Sequence, residues 1–125
     1  MIAVDLRNHL LAQPRLKELL DTRVHPGWIP ENATMPSVAY LEISGARHHN
    51  IDVAFPRYQF SVFSTRYTEA KEIEKEIRYA FQRFKGNMGS TRIIQGVYEN
   101  SVDQYEDRTK LYHIAIDFKF IYREE

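Results

Sequence analysis

Cysteine is absent from this chain, which rules out disulfide scaffolds, thiolate nucleophiles and cysteine-ligated zinc or iron–sulfur centres. Net charge is absent too. Seventeen basic residues face seventeen acidic ones, so no global positive field exists to hold a phosphate backbone or an anionic bilayer surface. No apolar run approaches the roughly 20 residues needed to span a bilayer. The first twenty residues set Asp5, Arg7, Asn8, His9 and Gln13 among the apolar ones, so no signal-peptide core is expected there. Glycine and proline occur five times each, too seldom for a collagenous or low-complexity chain. What remains, 125 residues of which 43% are hydrophobic and 27% charged, is the ordinary balance of a globular protein. It predicts one domain over 1–125.

The apolar residues Ile2, Leu6, Leu10, Leu11, Leu16, Leu19 and Leu20 recur at helical intervals, with a break where Pro14 denies a backbone donor. This predicts one helix followed by a short second turn. Val24 to Pro36 holds three prolines and Gly27, which predicts an ordered surface loop pinned to the core by Trp28. Ser37 to Ser44 and Arg57 to Ser64 read as strands. Between them Gly45 to Pro56 reads as a long hairpin tip with exposed Ile51, Val53, Ala54 and Phe55. Ala70, Ile73, Ile77, Ala80, Phe81 and Phe84 form one stripe, predicting a helix from Thr68, its N-cap, to Lys85, stopped by Gly86. Thr91 to Glu99 gives a third strand, and Asn100 to Lys110 an extended hairpin or twisted continuation. From Lys110 to Arg123, Tyr112, Ile114, Ile116, Phe118, Phe120 and Tyr122 alternate with Leu111, His113, Ala115, Asp117, Lys119 and Ile121. One face is core, the other mostly wet. That strand would run roughly 43 Å, longer than a lone small domain needs, so part of it is expected against a neighbour. The predicted fold is α+β, a two-layer sandwich of a four-stranded, mainly antiparallel sheet with two helices on one face.

Chemistry is sparse. The glycines around Asn87 and Met88 resemble a phosphate loop, but they follow a helix instead of leading into one and lack the lysine. His48 and His49 are adjacent, so an extended backbone points them apart and away from a common metal. Asp103, Glu106 and Asp107 lack the spacing of a calcium loop. No nucleophile elbow, HExxH helix or dinucleotide fingerprint occurs. Eight tyrosines and seven phenylalanines raise the thought of a base-stacking sheet, but their period places them under the helices. No catalytic residue, cofactor or metal site is read from the sequence.

Taken in order, Leu16 to Leu20, Val24-His25-Pro26-Gly27, Ile29 to Pro36 and Val38-Ala39-Tyr40 resemble the siphophage tail completion or tail terminator family. The likeness resumes at Tyr58 to Ser64, at Tyr67-Thr68-Glu69-Ala70 opening the long helix, and at Leu111 to Phe120. Each motif is structural, and their order and spacing carry the resemblance. It implies an α+β subunit of a homo-hexameric ring that caps the tail tube and joins tail to head. The implied partners are the tail-tube protein and a head-completion or stopper protein, with DNA only passing through the lumen. It implies a place in the virion, at the head–tail interface, after assembly in a host cytoplasm, and neither cofactor nor membrane nor enzymatic activity.

Two surfaces are candidates for protein contact. Arg47, His48, His49, Ile51 and Phe55 join apolar and basic groups at the hairpin tip. His113, Asp117 and Lys119 form the wet face of the last strand, with mixed charge that suits reciprocal pairing. Two rival readings stand beside the tail terminator: a head–tail connector or neck component, and a small hydrolase using His113 and Asp117.

Overall fold

The computed structural model describes residues 1–46 and 52–123. Among the described residues three helices, α1 (Ile2–Leu11), α2 (Pro14–Leu20) and α3 (Tyr67–Phe81), accompany seven strands. These are β1 (Val24–Pro26), β2 (Ser37–Ser44), β3 (Val53–Ala54), β4 (Arg57–Ser64), β5 (Gly86–Met88), β6 (Thr91–Glu106) and β7 (Leu111–Arg123). They make one mixed, curled sheet in the order β1-β2-β4-β7-β6-β5, with β3 also paired to β7.

The expected four-stranded sheet with two helices is therefore corrected. Pro14 sits at the first turn of α2 and makes it a separate helix. The extra strands are too short to show a period. β1 pairs in parallel with β2, Val24 opposite Val38, which makes the sheet mixed. β5 and the start of β6 form a tight hairpin through Gly89, whose φ is 58°. In β3, Val53 faces Arg123 and Ala54 faces Tyr122, the register in which Arg57 of β4 faces Lys119. β3 is thus β4 continued, interrupted at Phe55 and Pro56, where the Pro56 carbonyl still accepts from Phe120 N–H at 3.0 Å. Val53, Ala54 and Phe55 are consequently half-buried or buried rather than an exposed tip.

The alternation of β4 and β7 does what its period demands. Tyr58, Phe60, Val62, Ile114, Ile116, Phe118 and Phe120 lie under the helices, all 4% exposed or less. Phe81 of α3 is the plug, its ring centroid 5.1 Å from Phe60, 5.6 Å from Phe118 and 5.0 Å from Phe120. Edge-on and tilted ring contacts of this kind add about 0.5–1.5 kcal/mol per pair beyond burial. α1 is tied across the layer: Tyr40 Oη donates to Ala3 O at 2.8 Å, and Arg7 Nε to Val24 O at 2.8 Å.

α3 begins and ends differently from the prediction. Its N-cap is Arg66, whose N–H is received by Ser64 Oγ at 3.1 Å, while Ser64 donates to Glu69 Oε1 at 2.8 Å. It stops at Phe81 because Gln82 is extended, with ψ 124°, and Arg83, at φ 62°, then turns the chain against β6. There Arg83 N–H bonds Gly96 O and Gly96 N–H bonds Phe84 O, each at 2.9 Å. Gly86 lies beyond this stop, as the first residue of β5.

Candidate functional site

Because the helices occupy one side of the sheet, the other side is open to partners. Cross-strand partners share a face, so the register defines its rows. Phe63, His113 and Gln104 form one, Ala39, Ser61, Ala115 and Val102 the next, then Leu41, Gln59, Asp117 and Asn100, and then Arg57, Lys119 and Val97. The three β7 candidates therefore stand on one uncovered face.

Each is already engaged by its own chain. Asp117 accepts from Gln59 Nε2 at 3.0 Å and from Arg57 at 3.3 Å, and Lys119 lies 3.6 Å from Glu99. His113 stacks on Phe63 with ring centroids 4.3 Å apart. Burial pushes the His113 imidazole below the usual histidine range, against a smaller upward pull from Glu106. Its Nε2 is buried and has no hydrogen-bond partner among the described residues. His113 and Asp117 are four residues apart on one strand, about 13 Å, too far to act as an acid–base pair. Phe55 is half-buried and its N–H bonds Ala46 O at 2.8 Å. Arg47, His48, His49 and Ile51 lie outside the described residues.

Sequence reasoning missed the most exposed aromatic. Trp28, expected to pin its loop to the core, is 79% exposed. It rims a cavity of about 330 Å³ on the uncovered face. Ala39, Ser61 and Phe63 are its floor, Ile29 and Met35 stand with Trp28 on one wall, and Glu106 and Leu111 form the other. The second wall belongs to the turn end of the β6–β7 hairpin, where Glu106 pairs with Leu111 one step past the last β4 pair, Ser64 with Tyr112. A proline-rich loop with a tryptophan was the available signal, but only the curl of the sheet brings the hairpin opposite it.

The acidic stretch is structural at one member. Asp103 receives the Tyr67 hydroxyl at 2.6 Å and Lys71 at 3.3 Å. The Tyr67 hydrogen bond, ahead of the lysine, holds its carboxyl below the usual range. Among the described residues no group of three histidine or acidic side chains is placed to hold a metal ion, and no helix is long and apolar enough to cross a membrane.

Three comparisons bear on this surface. Residues 4–123 match the family described as tail completion protein gp17. No curated protein matches. Among solved structures, a chain of the virion of a native gene transfer agent particle superimposes with a TM-score of 0.77 at 15% identity, covering 94% of this chain and 91% of that one. At that identity the likeness establishes the fold.

Proposed function

The chain belongs to the tail completion protein gp17 family, and from that membership we propose that it caps a tail tube as a homo-hexameric ring and joins the tail to the head. Its function is that of a structural tail completion protein of the virion, in contact with other tail and head components. In the finer reading one axial side seats on the last ring of tail-tube protein and the other meets a head-completion or stopper protein. DNA passes through the lumen, and the ring catalyses no reaction.

The observation that supports this reading is the division of the subunit into a covered and an uncovered sheet face. A ring contact joins two different patches of like subunits and closes only if its rotation does. The uncovered face offers such a patch: an apolar cavity, an exposed tryptophan on its rim and the turn end of the β6–β7 hairpin as its other wall. Tryptophan in that position is the residue type that dominates interface energetics. The stretch from Gly45 to Pro56, with Arg47, His48, His49, Ile51 and Phe55, is the proposed axial or intersubunit contact. His113, Asp117 and Lys119 are proposed to meet the neighbouring subunit or to line the lumen.

Trp28→Ala tests the reading. At 79% exposure the side chain contributes little to the monomer, and stability should stay within about 0.5 kcal/mol of the parent. Native mass measured alone and after mixing with purified tail tubes should show six-subunit rings on tubes for the parent and fewer for the variant. Parent chains that never bind tubes would refute the ring. A variant that binds as well as the parent would remove Trp28 from the contact.

A further inference from the structure

At the end of the sheet that bears the β5–β6 turn, β6 and β7 place two arginines face to face. Arg92 is registered directly opposite Arg123, and Asn87 of β5 lies opposite Arg92 on its other side. The three side chains form one row. Both arginines are exposed, and among the described residues neither guanidinium has an acidic partner. In the same chain Arg15, Arg57, Arg66, Lys71 and Lys119 each pair with a carboxylate. Like charges directly opposite one another in an antiparallel pair destabilise the sheet. Among the described residues none of the chain's acids neutralises them.

The row borders a concavity of about 630 Å³, lined by Asn87, Gly89, Ser90, Arg92, Ile94 and Arg123. Ile94 sits at the register shift between Ile93 and Gln95 and is 42% exposed. The bulge therefore presents an apolar side chain beside two unneutralised guanidiniums and an amide.

We propose that this row is a docking site for an acidic segment of a protein partner, a carboxylate held by Arg92 and Arg123 with a neighbouring apolar side chain against Ile94. Guanidinium forks match carboxylates in geometry and hold them through charge-assisted bonds. Nucleic acid is the poorer fit, since a duplex grip draws on a track of several phosphate contacts. Here only two cations stand beside one isoleucine, on a chain of zero net charge. The proposal is independent of ring size and of which axial side this end occupies.

The test is a titration of the whole chain at constant ionic strength, following the Arg92 and Arg123 side-chain N–H signals and the Ile94 methyls by NMR. The probe is a capped hexapeptide with two glutamates flanking a leucine. The controls are its glutamine counterpart, inorganic phosphate and a single-stranded oligonucleotide. The glutamate peptide should shift all three residues and bind roughly tenfold or more tighter than the glutamine one, the worth of a charge-assisted pair. Arg92→Thr and Arg123→Thr should each lose that preference while their thermal midpoints rise or hold, since the repulsion is relieved. The proposal is overturned if phosphate or the oligonucleotide binds as well as the peptide, if the glutamine peptide is equivalent, or if the threonine variants melt lower.

Discussion

Gly96→Ala separates steric necessity from conformational freedom at the junction between α3 and β6. Gly96 is not held at positive φ, so alanine carries no backbone strain, and the whole effect comes from space. A Cβ placed there would lie 2.2 Å from the Phe81 carbonyl oxygen, 3.3 Å from its carbon and 3.6 Å from Phe120 Cε1. The nearest obstacle is backbone, which cannot swing aside. To make room, the end of α3 must lift by about an ångström, and it is fastened by the two hydrogen bonds between Gly96 and Arg83 and Phe84. Overpacking costs about 1–3 kcal/mol, and weakening two buried backbone bonds adds about 1 kcal/mol. A total of about 2–4 kcal/mol corresponds to about 10 °C in Tm for a domain of this length. Gly45→Ala is the control, because its new Cβ meets only the flexible Glu42 carboxylate at 3.3 Å. Thermal and urea melts followed by circular dichroism read both. A Gly96→Ala midpoint within about 2 °C of the parent, or a Gly45→Ala loss of equal size, would show that the close approach of helix and strand does not limit this position.

Two further outcomes concern pH. The Asp5 carboxyl is desolvated, which by itself raises its pKa, yet hydrogen bonds from Thr91 at 2.6 Å and Ser90 at 2.9 Å and the nearby N-terminal ammonium lower it overall. The stability it provides is full above its unfolded value near 3.8 and disappears as pH falls through the lower folded value. Asp5→Asn should therefore lower Tm at neutral pH and flatten the acid limb of the Tm–pH curve; a parallel curve would refute this. His25 and His113 are both held below 6.5, chiefly by burial. Unfolded, they take up protons near that pH while the folded chain resists, so stability should drop as pH falls below about 6.5. His113→Phe, which keeps the stack on Phe63 and removes the orphan Nε2, should reduce that drop, and an unchanged slope would exclude His113 as its source.

What the chain wrote locally was readable in advance. α3, β4 and β7 follow from repeats of 3.6 and 2 sustained over eight or more residues, and the break between α1 and α2 follows from what Pro14 lacks. The family resemblance, carried by order and spacing, was likewise legible. β1, β3 and β5 were not, since two or three residues hold no period, and their strand character exists only through partners on β2, β7 and β6.

The surface shows the same division. The composition of β7 determined that His113, Asp117 and Lys119 share a face, but only pairing across β4 and β6 decided that Asp117 and Lys119 answer to Arg57 and Glu99. Trp28 was misplaced because apolar character favours burial without requiring it, and the cavity it rims depends on the curl that carries the β6–β7 hairpin across the sheet. Arg92 and Arg123 meet through strand register alone. Local sequence sets which conformations each segment prefers, whereas the distances between segments are set by how their buried faces fit together.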